Sequence, residues 1–322
     1  MGISHGHGRG RPSRRAVLLA GLGVIVAGGA LGYELVQDGS LPGKYALARL
    51  DGACGTGPPR PHGAPPIRRE TTFHSAYRGR AVTMVTLIPA DVPAARGSAT
   101  RGLGVVIGLH GDGASASDLA RQLSPAVTAA QITGFAAVTV DGGDTYWHKR
   151  ANGDDPLGMI IHEVLPRLAA AGLATSRIGI CGESMGGYGA LLLGEQLASN
   201  GRRPQPAAVA AMSPAIFASY GDAIAANRRS FDSPADFTRN DVVANAAALR
   251  DVPCWVSCGT DDPFEPEAAR MRDRLAAVTG HQPSGGIPAG CHDDAFWGRN
   301  LPTALRFLAA HLGQPYKPKR DA

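Results

Sequence analysis

The pentapeptide Gly-Glu-Ser-Met-Gly at residues 182–186 is the strongest chemical signal in the sequence. It is a G-x-S-x-G motif between a short apolar run and a stretch rich in Leu and Ala, a pattern that predicts a sharp turn from a strand into a helix. Such a turn exposes the hydroxyl of Ser184, and the free N–H groups of the helix N-terminus can stabilise an oxyanion. The motif therefore predicts acyl-transfer chemistry at Ser184. The alternative is a tight turn whose serine only caps the helix.

A serine nucleophile needs a general base and an acid that orients the base, and both residue types follow later in the chain. His292 stands on a predicted loop before the last helix. Asp261 and Asp262 follow a predicted strand at residues 253–258. We favour Asp262, which precedes Pro263, as the partner of His292, with Asp261 as a cap of the next helix. The chain order Ser, Asp, His is that of the α/β-hydrolase fold.

A second glycine motif, His-Gly-Asp-Gly at residues 110–113, follows another predicted strand. In an α/β-hydrolase, this loop and the residue after the nucleophile each supply a backbone N–H to the oxyanion hole. The predicted donors are Asp112, with Gly113 as the less favoured alternative, and Met185. The competing interpretation is a glycine turn with a structural histidine. We count His110 and Gly113 among the substrate-binding residues.

The loop at residues 141–156 also follows a predicted strand and is dense in aromatic and charged side chains. We predict that it binds substrate, with large apolar faces and polar contacts. Its predicted contact residues are Asp144, Tyr146, Trp147 and His148. One alternative is a metal site of Asp141, Asp144, His148 and Asp155, and another is a loop packed by its own aromatics. Because a Ser-His-Asp set supplies its own nucleophile, we expect no metal and no cofactor.

These motifs stand where predicted strands end, and the strands alternate with predicted helices. Strands are predicted at residues 81–88, 103–109, 135–140, 177–181, 207–212 and 253–258. Helices are predicted at residues 115–130, 159–171, 188–198, 265–278 and 304–312. This alternation predicts the α/β class, with a mostly parallel sheet and helices on both faces. Ligands bind such sheets at the carboxyl ends of the strands. The polar stretch at residues 218–250 predicts a small helical insertion.

The N-terminal region differs in character from the rest of the chain. Residues 1–70 hold nine Lys and Arg but four Asp and Glu, whereas the remaining residues are balanced, so the net charge of +5 indicates no nucleic-acid surface. Arg14 and Arg15 precede an apolar run, which predicts a twin-arginine export signal or membrane anchor over residues 1–35. A proline-rich linker is predicted over residues 36–70, the folded domain over 71–316 and a short tail over 317–322. Membrane contact is expected through the N-terminal segment only.

Five cysteines are present, an odd number that leaves at least one thiol unpaired. Cys181 lies in the predicted strand before Ser184 and is expected to be buried and inert. Cys291 is expected to approach Cys254 or Cys258, and the pairing among these three and Cys54 stays open. The spacing indicates no zinc site.

Three segments, residues 182–190, 259–264 and 290–297, resemble an esterase family of α/β-hydrolases that includes esterase D (S-formylglutathione hydrolase) and the mycobacterial mycolyltransferases. The resemblance spans roughly residues 72–313. It implies an exported serine esterase that acts on a small-molecule or envelope ester. The alternatives are an acyltransferase of the cell envelope and a non-catalytic binding module. The composition resembles that of an exported actinobacterial protein. The loop at residues 141–156 departs from the family pattern, which leaves the acyl chain and the acceptor open.

Overall fold

The structure is a computed structural model, and it describes residues 52, 54–90, 102–131, 134–201 and 203–313. Eight strands form one sheet in the order β1-β2-β4-β3-β5-β6-β7-β8. Their bounds are β1 Ile67–Ser75, β2 Arg80–Ile88, β3 Gly104–Leu109, β4 Phe135–Val140, β5 Ala174–Glu183, β6 Gln205–Met212, β7 Cys254–Ser257 and β8 Ser284–Gly286. Strands β3 to β8 pair in parallel, whereas β1 and β2 pair in antiparallel fashion. The predicted mostly parallel α/β sheet is confirmed.

Helices cover both faces of the sheet. They are α1 Ala116–Ala130, α2 Pro156–Met159, α3 Leu165–Ala170, α4 Met185–Asn200, α5 Tyr220–Ala226, α6 Pro234–Arg239, α7 Glu265–Thr279 and α8 Asp294–His311. A π-helical turn, Ile160–Val164, joins α2 to α3. The short helices α5 and α6, with the 3₁₀ turn Ala246–Leu249, form the predicted helical insertion.

Two apolar clusters hold these layers together, one on each side of the sheet. On one face, α1 and α8 bury leucines such as Leu123 and Leu305 against the sheet. On the other face, α4 buries Leu191 and Leu193, and the insertion contributes Phe231. The central strands β3 and β4 are buried along their whole length, as their continuous apolar sequences require.

The carboxyl ends of β3, β5 and β6 meet at one edge. Leu109, the last residue of β3, pairs with Gly182, and Glu183 at the end of β5 pairs with Met212 at the end of β6. The loop after β3 leads into α1, which begins with a capping box. In it the Ser115 hydroxyl accepts from the backbone N–H of Asp118, and the Asp118 carboxylate accepts from the backbone N–H of Ser115. The sheet therefore brings the loop at residues 110–113 beside the 182–186 turn.

The segment expected to be a free linker is attached to the domain, which corrects the predicted boundary. Cys54 forms a disulfide with Cys291, and the Arg299 guanidinium donates to the carbonyl oxygens of Cys54, at 3.0 Å, and Thr56. Strand β1 also begins at Ile67, earlier than the predicted start at residue 71. The folded domain therefore begins at residue 54, where the Cys54–Cys291 disulfide attaches the chain to it.

Cys291 approaches the Cys258 segment as expected, since a Cβ on Gly259 would lie 2.9 Å from the backbone nitrogen of Cys291, but it forms a disulfide with neither Cys254 nor Cys258. Cys254 lies in β7 and Cys258 just after it, both buried in the interior as free thiols, whereas Cys54 reaches Cys291 from the preceding chain. Cys181 is a buried free thiol as predicted, and burial raises its pKa to about 12.

Among the described residues, no helix has the length and apolar character needed to cross a membrane. The predicted export segment, residues 1–35, and the predicted tail, residues 317–322, lie outside the described residues.

Candidate active site

Ser184 occupies the sharp turn that its motif predicts. Its φ of 55° and ψ of −122° are unusual for a residue with a side chain, and it is the N-cap of α4. The flanking glycines make this turn possible, because a Cβ on Gly182 would lie 2.1 Å from the carbonyl oxygen of Gly186. A Cβ on Gly186 would lie 1.9 Å from the carbonyl oxygen of Leu109. Close backbone approach thus requires glycine at both positions and presents the Ser184 hydroxyl at the sheet edge.

Three side chains form a hydrogen-bonded row at this edge. The Ser184 hydroxyl donates to Nε2 of His292 at 2.9 Å, and Nδ1 of His292 donates to Oδ2 of Asp262 at 2.9 Å. Ser184 comes from the β5–α4 turn, Asp262 from the loop after β7 and His292 from the loop before α8. This geometry allows the imidazole to take the hydroxyl proton while the carboxylate keeps the required tautomer.

Asp262 is buried, and its carboxylate accepts from Nδ1 of His292 and from the backbone N–H of Phe264, each at 2.9 Å. Burial raises its pKa, but the hydrogen bond and electrostatic attraction to His292, with smaller contributions from Ser213 and Phe264, hold the pKa below its usual value. Asp261 instead accepts from the hydroxyl of Thr260 at 2.9 Å and does not contact His292. The structure thus places Asp262 against the histidine. The N-cap of α7 is Phe264, so Asp261 does not cap that helix as expected.

Aromatic rings hold His292 from two sides. The ring of Phe264 lies 5.1 Å from the imidazole centroid, and the indole of Trp297 meets it edge-on at 5.0 Å. Asp293, the next residue, caps α8 by accepting from the N–H of Phe296 at 2.9 Å. The loop that carries the imidazole is therefore fixed by a helix cap on one side and by the Cys291 disulfide on the other.

Two segments beside Ser184 carry backbone N–H groups that lack an acceptor in the described part of the chain. Among the described residues, neither the N–H of Asp112 nor that of Met185 has an acceptor. The N–H of Gly113 is already bonded to Oδ1 of Asp144 at 2.8 Å. The loop passes close to Ser184, since a Cβ on Gly111 would lie 3.4 Å from the Cβ of Ser184. Both predicted donors, Asp112 and Met185, thus have free N–H groups, whereas the alternative donor, Gly113, does not.

An open cleft of about 600 Å³ lies beside Ser184 and His292. Its walls are the 111–114 loop, the first turns of α1 and the start of α8. Asp112 at the rim is partly exposed, and burial together with the neighbouring charge of Asp144 raises its pKa, while Arg229 partly offsets this. The cleft is polar and open to solvent.

His110 does not line this cleft, which corrects its assignment as a substrate-binding residue. It is 1% exposed, its Nδ1 donates to the carbonyl oxygen of Gly111 at 2.8 Å, and its Nε2 accepts from the N–H of Gly142 at 2.9 Å. Burial lowers its pKa, so the ring is neutral. His110 ties the 110–113 loop to the 141–156 loop.

Tyr146 and Trp147 are likewise buried, so neither forms the aromatic wall of a substrate site. Both adopt positive φ, 58° and 63°, which turns their side chains inward. The Trp147 ring is fully buried, and its Nε1 donates to the carbonyl oxygen of His110 at 3.2 Å. A Cβ on Gly142 or Gly189 would lie only 2.3 or 2.6 Å from that ring. Tyr146 packs among the rings of Tyr188, Phe217 and Phe231.

His148 is also absent from the cleft. It is fully buried and its ring stacks on Phe231. Its Nε2 atom lies 2.9 Å from the carbonyl oxygen of Ser230, within hydrogen-bonding distance. Burial lowers its pKa. With Arg150, which pairs with Asp232 at 2.7 Å, it anchors the helical insertion. The aromatic side chains of the 141–156 loop are thus buried against α4, the 110–113 loop and the segment around Phe231, rather than against one another as the alternative proposed. Of the four predicted contact residues, only Asp144 lies beside the cleft, through its hydrogen bond to Gly113.

Two of the carboxylates considered as metal ligands accept hydrogen bonds from backbone N–H groups in different parts of the chain. Asp141 accepts from the N–H groups of Ala116, at 2.7 Å, and Thr83, while Asp155 accepts from the N–H of Gly158 at 2.8 Å. In the part of the chain that the structure describes, no three His, Cys, Asp or Glu side chains gather as metal ligands would.

Several cleft residues were not predicted from the sequence, among them Asp118, Gln122 and Asp294, and two of them lie next to the hydrogen-bonded row. Glu183, inside the serine motif, lines the cleft directly beside Ser184, and Trp297 borders His292. The position of Glu183 within the motif was the available signal. Trp297 could have been found from its spacing, since it lies on the first turn of the helix that follows His292.

An eight-stranded, mostly parallel sheet with a strand–serine–helix turn at its carboxyl edge defines the α/β-hydrolase fold. The chain belongs to the esterase family described as "Putative esterase", whose model matches residues 75–308. No curated protein matches the chain.

Solved structures of esterases share this fold. A ferulic acid esterase superposes with a TM-score of 0.61 at 18% identity, covering 76% of this chain and 98% of that one. An S-formylglutathione hydrolase from Agrobacterium tumefaciens gives 0.63 at 14% identity, with 79% and 98% covered. A fluorophosphonate-binding serine hydrolase from Staphylococcus aureus gives 0.60 at 18% identity, with 77% and 99% covered. At these identities the likeness shows the fold alone.

Proposed function

We propose that the protein is an exported serine esterase that hydrolyses carboxylic esters through an acyl-enzyme on Ser184. The observation that carries this proposal is the row of two 2.9 Å hydrogen bonds from Ser184 through His292 to Asp262. Membership of an esterase family supports it.

In the proposed reaction, His292 accepts the Ser184 proton as the oxygen attacks the ester carbonyl. The carbonyl oxygen becomes an oxyanion, which the N–H groups of Met185 and Asp112 stabilise. The tetrahedral intermediate collapses, the C–O bond to the alcohol breaks, and His292 returns its proton to the leaving alkoxide. Water, deprotonated by His292, then attacks the acyl-enzyme and releases the acid. Asp262 stabilises the imidazolium in both halves of the reaction.

The open, polar cleft favours hydrolysis over acyl transfer to another alcohol. Carboxyl groups and an amide line it, including those of Asp118, Gln122 and Asp294, so water reaches the acyl-enzyme. Product analysis with an aryl ester, in water with and without a competing sugar, tests this. Free acid in both reactions is expected, and dominant sugar ester would favour the acyltransferase.

Export is proposed on two independent grounds. Arg14 and Arg15 before the apolar run form a twin-arginine pattern, and the Cys54–Cys291 disulfide suits an oxidising compartment. A folded reporter fused to residues 1–50 should be exported, and replacement of both arginines by lysine should block this. Export that persists in the double variant would contradict the proposal.

A further inference from the structure

Glu183 combines burial, an incomplete set of hydrogen bonds and direct contact with the proposed site. It is the last residue of β5 and precedes Ser184, and its side chain lines the cleft although the residue is only 3% exposed. Its Oε2 atom is buried without a hydrogen-bond partner among the described residues. An ionised carboxylate at this position loses its hydration and gains no hydrogen bond at Oε2 in return, so burial disfavours the charged form.

The groups around Glu183 do not compensate for a negative charge. The charged or titratable groups facing this part of the cleft are Asp112 from the loop after β3, Asp118 and Arg121 from α1, His292 and Asp294 at the start of α8, and Cys181 within β5. Arg121, which lines the same cleft, is paired with Asp118. Asp294 accepts from Nε2 of Gln122 at 2.7 Å, which leaves Oε1 of Gln122 buried and without a partner.

We propose that Glu183 works as a neutral carboxylic acid beside Ser184, and that its ionisation suppresses the reaction of Ser184. The inference rests on the proposed function. Attack on a carbonyl places a negative oxygen in this cleft, and an ionised Glu183 would add a like charge beside Asp294 and next to that oxygen. Burial, and then the charge of Asp294, raises the pKa of Glu183 to about 8, so loss of activity is expected on the alkaline side.

Glu195 provides a matched control. It is also buried, with both carboxyl oxygens unpartnered in the described structure, and burial followed by the charge of Asp241 raises its pKa to about 9. It lies in α4 and borders a separate hollow with Arg239 and Asn245, away from Ser184. The same Glu→Gln substitution therefore tests burial alone at one site and burial beside the nucleophile at the other.

The experiment measures the rate of labelling by a fluorophosphonate, and kcat/KM for an aryl ester, between pH 6 and 10. The wild type and Glu195→Gln should lose activity above about pH 8, about tenfold per pH unit beyond the pKa. Glu183→Gln should lack this decline, so that its ratio of rates at pH 9.5 and pH 7 exceeds that of the wild type by about thirtyfold.

Thermal unfolding gives a second readout that does not depend on turnover. A folded-state pKa raised from 4.5 means that the folded protein keeps a proton that the unfolded chain releases, so stability falls as pH rises from 4.5 to about 8. Glu183→Gln should remove this part of the fall in Tm, and Glu195→Gln should remove a similar part that extends to about pH 9.

An alkaline decline that persists unchanged in Glu183→Gln, or one that Glu195→Gln removes as well, would overturn the inference alone. Absence of labelling in the wild type at every pH would overturn the proposed function, and the inference with it.

Discussion

Oδ1 of Asp144 accepts a hydrogen bond of 2.8 Å from the backbone N–H of Gly113. Gly113 has a φ of 74°, and the turn it makes follows directly on Asp112, whose N–H is free. The contact therefore fixes the turn at the end of the 110–113 loop, which carries the free Asp112 N–H and passes beside Ser184. A residue outside the serine motif thus shapes the proposed oxyanion hole through one hydrogen bond.

Replacing Asp144 by Ala should lower kcat for an aryl ester by about five- to tenfold, since one orienting hydrogen bond contributes about 1 kcal/mol. KM should change little, because the loop acts on the developing oxyanion. Asp144→Asn keeps an acceptor oxygen and should retain most of the activity. Equal losses in the two variants would show that the carboxylate charge matters rather than the hydrogen bond.

Asp262→Asn should reduce kcat on the order of 10³- to 10⁴-fold, because an amide in this place favours the wrong tautomer of His292. Asp261→Asn is the matched control and should stay within a few-fold of the wild type, since Asp261 contacts Thr260 instead. Circular dichroism checks that both variants are folded. The reverse ranking would assign the orienting role to Asp261.

The sequence predicted the parts of this molecule that follow from local rules. Continuous apolar runs become the buried parallel strands, and chemical motifs at strand ends meet because parallel strands end at one edge. Strand β1 was missed because most of its side chains are exposed, and β8 because it has only three residues, Ser-Gly-Gly. Neither carries the apolar signal on which strand prediction depends.

The errors at Tyr146 and Trp147 have a conformational cause. The aromatics at residues 146 and 147 follow a strand, which predicts exposure at the site, but their positive φ angles turn the rings into the interior. Sequence patterns do not reveal positive φ in bulky residues, because steric preference disfavours it. The Cys54–Cys291 bond was similarly hidden, because the proline-rich sequence around Cys54 indicates a linker.

Trp147→Ala should destabilise the fold by about 3–5 kcal/mol, since it removes a fully buried indole. Urea unfolding measures this. At temperatures where the variant is folded, large and small esters should be affected to a similar extent, because the ring does not reach the cleft. Gly142→Ala, which places a Cβ 2.3 Å from the same ring, should also destabilise. Selective loss of activity on large esters, at unchanged stability, would restore Trp147 to the substrate site.

Loss of the Cys54–Cys291 disulfide should lower the free energy of unfolding by about 2–4 kcal/mol, since the bond closes a long segment of the chain. It should also reduce activity, because His292 directly follows Cys291. The double variant Cys54→Ser, Cys291→Ser and the reduced wild type should behave alike. Reductant should leave the double variant unchanged, since its remaining cysteines are buried free thiols. Unaltered stability after verified reduction would contradict the structural role.

The site at which a fluorophosphonate attaches tests the central claim most directly. The probe loses fluoride as a serine oxygen bonds to phosphorus, and only an activated serine reacts readily. Peptide mass spectrometry of the labelled full-length protein should find the adduct on Ser184, and Ser184→Ala should take up no label and lose a thousandfold or more of its ester turnover. Labelling at another residue, or turnover that survives in a folded Ser184→Ala variant, would contradict the account.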